Sequence, residues 1–304
     1  MTIQQCLMWA KPQLQPKHIT CPSTEKDIGM FEATVLLRYV LQKDELWIAT
    51  NSSFRLTTKQ INTFKKIVHL RTKHKPIAYI LGEKEFYGYL FSVNKSTLIP
   101  RPETETLIDS AIEIISQSHL SEPLVWDIGT GSGAIAITLA KKIPRAQILA
   151  TDTSKRALQT AQKNATSHQI QSRITFLQQN LLQPKAYKWL LAHQSSDKQV
   201  IICANLPYLP ESDKTKLAPD ITEYEPKSAL YSGKDGLALI FRLLGQIARH
   251  YNEWKYDSIY ILLEFDPPQI TQLYAQIKKL FPKATITFKQ DLAKRDRICL
   301  IQLF

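Results

Sequence analysis

Leu124-Val125-Trp126-Asp127-Ile128-Gly129-Thr130-Gly131-Ser132-Gly133-Ala134-Ile135-Ala136 joins a short apolar run to a second one through three glycines in five residues. An apolar run that ends in a glycine corner and resumes with small helix formers reads as a strand, a tight turn and the start of a helix. Gly129, Gly131 and Ala134 stand at the G-x-G-x-x-G/A spacing that brings a helix N-terminus up to a nucleotide, so the stretch places the chain among Rossmann-like α/β folds. Read loosely, the same spacing also fits a dinucleotide. Two details favour S-adenosylmethionine over NAD. Asp127 at the strand end can take an ammonium group that NAD lacks, and Gly133 adds a third close-approach glycine. A purely structural turn is the weaker reading, because three glycines are a costly way to make one.

Downstream, Gln147 to Asp152 reads as the next strand and ends in an acid at the spacing expected for ribose hydroxyls. Ser154 to His168 reads as a crossover helix, and Ile174 to Leu177 as a third strand leading to Gln179-Asn180-Leu181. The Asn180 side chain could accept from an adenine amino group, or it could be an ordinary strand-to-loop Asn. The β-branched run Val200-Ile201-Ile202 then leads through Cys203 and Ala204 to Asn205-Leu206-Pro207-Tyr208. Leu206 precedes a proline and is held extended, and Pro207 fixes its own φ, so a buried strand ends in a stiff polar corner. Such a corner suits a planar –NH2 group. That nitrogen is a poor nucleophile until two acceptors take its hydrogens, and the Asn205 side-chain oxygen with the Leu206 carbonyl can be those acceptors while Tyr208 stacks on the plane. A strand end followed by a proline turn remains the plain alternative.

Leu209 to Gly236 shows no helix or strand pattern, and a stretch of that length inside a domain reads as a functional lid. Helices follow at Leu237 to Tyr251 and Pro267 to Phe281, and strands at Ile259 to Phe265, Ala284 to Lys289 and Arg297 to Phe304. Repeated strand–helix alternation predicts a mainly parallel sheet covered on both faces. The last two strands lack a helix between them, so the final one should run antiparallel.

Upstream, residues 1–80 read as a small helical domain that binds a partner or covers the larger one. Thr24 to Gln42 carries apolar residues at helical spacing, and Thr57 with Gln60 forms a capping-box pattern. Residues 81–100 alternate aromatic with glycine and polar residues, which reads as a β-hairpin linker. Pro100-Arg101-Pro102-Glu103-Thr104-Glu105 then opens the third segment, 101–304. Proline and acids suit a first helical turn, and they can equally wall a site.

The 304 residues carry a net charge of +12, with Lys and Arg spread over nearly every segment rather than gathered in a tract. A generally basic surface is expected, and direct nucleic-acid binding is not. Four scattered cysteines without a Cys-x-x-Cys pair indicate neither a zinc site nor a disulfide framework, and His18 near Cys21 reads as filler. No metal is required. No apolar run approaches the twenty or so residues of a membrane span, and Met1 to Gln5 lacks the pattern of a signal peptide, so a cytoplasmic monomer is expected.

Taken together, Pro100 to Glu105, Asp127 to Gly133, Asn205 to Tyr208, Glu225-Pro226 with Ala229-Leu230, and Asp291-Leu292 with Arg295-Asp296-Arg297 resemble the release-factor glutamine methyltransferases over nearly the full length. The resemblance implies a class I methyltransferase domain behind a helical N-terminal domain. It also implies methyl transfer from S-adenosylmethionine to the side-chain amide of the glutamine in the Gly-Gly-Gln motif of class 1 peptide-chain release factors. By position, Gly129, Thr130, Gly131, Ser132 and Gly133 would line the methionine end of the cofactor and Asp152 its ribose. Asn180 and Leu181 would face the adenine. Asn205 would touch both cofactor and substrate, with Leu206, Pro207 and Tyr208 holding the amide and Arg101 and Glu103 beside it. The family usually has Pro where Leu206 stands and an acid where Asn180 stands, and Glu264-Phe265-Asp266-Pro267-Pro268 departs from the small turn expected there. Other planar amines, in nucleic acid or in a ribosomal-protein glutamine, would suit the same corner, and a non-catalytic scaffold would also tolerate the departures.

Overall fold

The computed structural model describes residues 1–15, 27–118 and 122–303. His18 and Cys21, and the first residues of the helix read over Thr24 to Gln42, lie outside them. The chain divides into two units, Met1–Gly82 with Ala218–Tyr224, and Glu83–Leu217 with Glu225–Phe304.

The first unit is helical: α1 (Ile3–Leu14), α2 (Ile28–Leu41), α3 (Glu45–Thr50), α4 (Thr58–Thr72) and α5 (Ile77–Leu81). The Thr57–Gln60 capping box forms as read, with Gln60 N–H on Thr57 Oγ1 at 3.3 Å and Thr57 N–H on Gln60 Oε1 at 2.9 Å. Thr2 and Gln5 make a second box at α1. Cys6, Ala10, Leu36, Leu37, Phe64 and Val68 are fully buried between α1, α2 and α4. Arg71 holds Glu32 with two nitrogens, at 2.8 and 2.9 Å.

The second unit begins with a hairpin, β1 (Glu83–Phe86) and β2 (Tyr89–Ser92), shorter than the stretch from which it was read. Its two-residue loop, Tyr87 and Gly88, has φ of 53° and 76°, the left-handed pair of a type I′ turn. Phe86 and Phe91 are buried in the core of this unit. There follow α6 (Glu105–Gln117), β3 (Leu124–Ile128), α7 (Ala134–Lys142), β4 (Gln147–Asp152), α8 (Lys155–Ser167), β5 (Ile174–Gln178), α9 (Pro184–His193) and β6 (Gln199–Ala204). After α10 (Pro219–Thr222), which groups with the helical unit, come α11 (Ala238–His250), β7 (Ser258–Glu264), α12 (Ile270–Leu280), β8 (Thr285–Gln290) and β9 (Asp296–Leu303).

The sheet order is β5-β4-β3-β6-β7-β9-β8, and β9 runs antiparallel to both neighbours, as expected for the last strand. Alternate strand residues face opposite sides. Trp126, Ile202 and Leu263 pack with α9, α11 and α12, and Val125, Ile201 and Leu262 with α6 and α7. Two readings need correction. Helix α9 has no sequence-level counterpart, and the stretch from Leu209 to Gly236 is not structureless. It holds helical turns at Glu211–Thr215, α10 and Lys227–Ala229, and a bridge from Leu209 to Tyr231. Each is too short for periodicity to reveal. Among the described residues no helix is long and apolar enough to cross a membrane.

Candidate active site

Strand order reverses between β3 and β6, and in open parallel sheets the crevice at that switch lies beyond the carboxyl ends of the strands. Ile128 pairs with Ala204 there, so the next residues, Gly129 and Asn205, come side by side. On the other flank Ile128 pairs with Thr151, whose carbonyl accepts the N–H groups of Gly129 at 2.8 Å and Thr130 at 2.9 Å. Asp152 follows, and its Oδ2 accepts the Gly131 N–H at 3.0 Å. The glycine loop is thus tied to the end of β4, and Gly129, Gly131 and Gly133 have φ of 74°, 56° and 83°. Gly133 then starts α7, whose positive end faces the crevice.

A cavity of about 500 Å³ occupies this crevice. Gly129, Thr130, Gly131, Ser132, Asp152, Asn180, Leu181, Asn205, Leu206 and Pro207 all line it, together with Pro100 and Thr104. Gly133 is not among the lining residues, and a Cβ there would meet Ile137 Cδ1 at 2.8 Å and Ala161 Cβ at 3.1 Å. Leu181 has a φ of 50°, held there while Gln179 donates to its carbonyl at 2.7 Å and accepts from Ala186 at the start of α9. Gln179 was missed because a buried Gln at a strand end looks like a loop residue.

Several side chains sit differently from their sequence reading. Asp127 does not line the cavity. It is fully buried, and its Oδ2 accepts from the Thr130 hydroxyl at 2.6 Å and the Ala136 N–H at 3.1 Å, so it fastens the loop to α7 from beneath. Its Oδ1 has no hydrogen-bond partner among the described residues, and burial pushes its carboxyl up to about 7. Arg101 also stands off the cavity lining, bound to Glu225, whose other oxygen takes the Ile99 N–H at 3.0 Å. Glu103 is exposed and lies outside the lining as well. Tyr208 is likewise absent from it. Its hydroxyl donates to Glu264 Oε1 at 3.0 Å.

Glu264, the residue without an explanation in sequence, is central. It ends β7 fully buried and accepts from Tyr208 on one oxygen and from the Thr104 hydroxyl on the other, at 2.7 Å. Thr104 in turn accepts from Asn205 Nδ2 at 3.0 Å. The available signal was an acid closing a strand of apolar residues.

Residues 5–82 match the model of the PrmC N-terminal domain, and residues 105–192 that of the methyltransferase small domain. The release factor glutamine methyltransferase of Bacillus anthracis is 30% identical, with all of both chains covered. That of Flavobacterium psychrophilum is 37% identical over 90% of this chain and 91% of its own. The chain belongs to the release factor glutamine methyltransferase family. A structure of the hMettl16 catalytic domain in complex with the MAT2A 3'UTR hairpin 1 shares the fold at a TM-score of 0.56 and 16% identity, covering 88% of this chain and 91% of that one. Gly129 to Gly133 lie within the stretch that matches the methyltransferase small domain.

Proposed function

We propose that this protein methylates the side-chain amide nitrogen of the glutamine in the Gly-Gly-Gln motif of class 1 peptide-chain release factors, with S-adenosylmethionine as donor. The observation that carries the reading is the adjacency of Asn205 and Gly129 on one cavity wall, which sets an amide-binding corner beside a nucleotide-type loop. The cavity fits the donor in size, since small-molecule sites of this kind span roughly 300–1,000 Å³. Gly129 holds a φ of 74°, which L side chains rarely adopt, while a Cβ there would make only ordinary contact with Leu206 Cδ2 at 3.4 Å, so glycine serves the turn that forms the cradle.

When bound, S-adenosylmethionine supplies a methyl group on a positively charged sulfur. Gly129 to Gly133 and the start of α7 would hold its methionine end, Asp152 its ribose, and Asn180 with Leu181 its adenine. Burial raises the Asp152 carboxyl, while the Ser154 and Gly131 N–H groups oppose the shift. The Asn205 side-chain oxygen and the Leu206 carbonyl accept the two N–H bonds of the substrate amide, and Pro207 keeps that backbone fixed. The lone pair would thereby be turned outward from the two acceptors, the nitrogen would give up one of its two protons as it gains the methyl group, and positioning rather than a strong base would supply most of the rate. Arg101, held by Glu225, braces the wall, and Tyr208 backs the corner. Residues 1–80 bind the release factor, 81–100 link, and 101–304 carry catalysis. The protein acts as a monomer in the cytoplasm.

The test is transfer from methyl-labelled S-adenosylmethionine to intact release factor and to a release factor whose Gly-Gly-Gln glutamine is replaced. Labelling of the first alone is expected. Equal labelling of both, or of neither, would overturn the proposal.

A further inference from the structure

Thr104 sits at the end of the turn Pro102–Thr104 and is 4% exposed, and Glu264 is 1% exposed at the end of β7. Neither residue is given a part in the proposed methyl transfer. A hydroxyl has one proton and accepts elsewhere, a carboxylate only accepts, and a carboxamide has one accepting and one donating end. These inventories permit one direction of bonding. The Thr104 proton goes to Glu264 Oε2 at 2.7 Å, so the Thr104 oxygen can only accept from its other neighbour. Asn205 must then present its NH2, as it does at 3.0 Å.

We infer that Thr104 and Glu264 are positioning residues that fix which end of the Asn205 carboxamide faces the substrate. With its NH2 held by Thr104, Asn205 offers its carbonyl oxygen as an acceptor. Turned over, it would aim N–H donors at the –NH2 group it must grip, and two donors repel. Glu264 sets the neighbouring ring with the same carboxylate, through the Tyr208 hydroxyl at 3.0 Å. One buried anion thus orients both side chains of the corner, Tyr208 directly across 56 residues and Asn205 through Thr104, which lies 160 residues from Glu264. The charged and titratable groups that face Glu264 are Tyr208 from the corner, Arg297 from β9 and Glu103 from the turn that holds Thr104. Burial pushes the Glu264 carboxyl up, while Thr104, Tyr208 and Arg297 favour its charged, accepting form.

The inference rests on the proposed amide chemistry, so its test has an arm that needs no substrate. Thr104→Val removes the hydroxyl at nearly constant shape, and Thr104→Ser keeps the hydroxyl. With release factor as substrate, Thr104→Val is expected to lower kcat roughly tenfold to a hundredfold with S-adenosylmethionine affinity, by calorimetry, nearly unchanged, as for a group that is present and misaligned. Thr104→Ser is expected to restore most of the loss. In the substrate-free arm, the side-chain N–H signals of isotopically labelled Asn205 are expected to shift and exchange faster in Thr104→Val than in wild type or Thr104→Ser. Wild-type kcat in Thr104→Val, equal losses in the Val and Ser variants, or Asn205 signals indifferent to the hydroxyl would each overturn it. If the wild-type protein transfers no methyl group to release factor, the proposed function fails by itself, and the Asn205 signals decide this inference.

Discussion

Gln269 Nε2 donates to the carbonyl oxygen of Tyr208 at 2.7 Å, and it donates to the Asp235 carbonyl at 2.9 Å. Gly236 lies against the same Tyr208 carbonyl at a φ of 79°, with no space for a side chain. The residue that backs the corner is thus held at both ends, by Glu264 at its hydroxyl and by Gln269 at its backbone.

Gly236→Ala is therefore expected to be severe. The added carbon strikes the Tyr208 carbonyl and Gln269 Nε2 and occupies a φ that L-residues rarely adopt, at a cost of about 2 kcal/mol or more. Gly245 in α11 is the internal control, since a Cβ there meets nothing within 4 Å. Gly245→Ala is expected to stabilise by up to about 1 kcal/mol, the helix-propensity difference. Urea unfolding of the two variants should move in opposite directions.

Asp127 gives a pH dependence of definite sign. Its carboxyl is pushed up to about 7 in the fold by burial, against about 3.9 in an unfolded chain. Between those values the folded chain keeps a proton that the unfolded chain has lost, so this group lowers stability as pH rises from about 4 to about 7, and its contribution is level above that. Asp127→Asn can keep the bonds to Thr130 and Ala136 through its carbonyl oxygen and does not titrate. Relative to wild type, it should gain on the order of 2 kcal/mol between pH 5 and pH 8. Thermal melts without added cofactor measure this, and parallel curves for the two proteins would contradict it.

Asn164 joins three parts of the larger unit. Its Oδ1 accepts the Ser92 N–H at 2.8 Å, and its Nδ2 donates to the carbonyls of Ser92 at 3.0 Å and Ser132 at 2.8 Å, tying the hairpin and the glycine loop to α8. Asn164→Ala leaves those backbone groups unpaired in a site that is 1% exposed, at an expected cost of about 2–3 kcal/mol. Because Ser132 lines the cavity, calorimetry should also show weaker S-adenosylmethionine binding. Unchanged binding would show that the loop holds its shape without this tie.

How much of this could be read in the sequence follows from how local each feature is. The glycine loop, the strand ending at Asp152 and the corner at Asn205 were legible because each is a short pattern with its own periodicity and turn residues. The antiparallel β9 was legible because no helix separates it from β8. Helix α9 escaped because only Ala186 and Leu190 of its 10 residues are buried, too few to mark a periodic apolar face. Asp127 and Arg101 were assigned to ligands because a charge at a strand end or beside prolines reads as exposed. Their actual partners, Ala136 beyond the glycine turn and Glu225 far along the chain, are set by packing. The Asn205–Thr104–Glu264–Tyr208 chain was out of reach for the same reason, since its links join distant parts of the sequence.

The most direct measurement is methyl transfer by Asn205→Ala, with turnover on release factor and S-adenosylmethionine affinity determined on the same preparation. If the Asn205 side-chain oxygen accepts from the reacting amide, kcat should fall roughly a hundredfold or more, as for loss of a transition-state contact, and far more than cofactor affinity falls. Turnover equal to wild type, or a loss accounted for entirely by weaker cofactor binding, would contradict the assignment of this corner to the substrate amide.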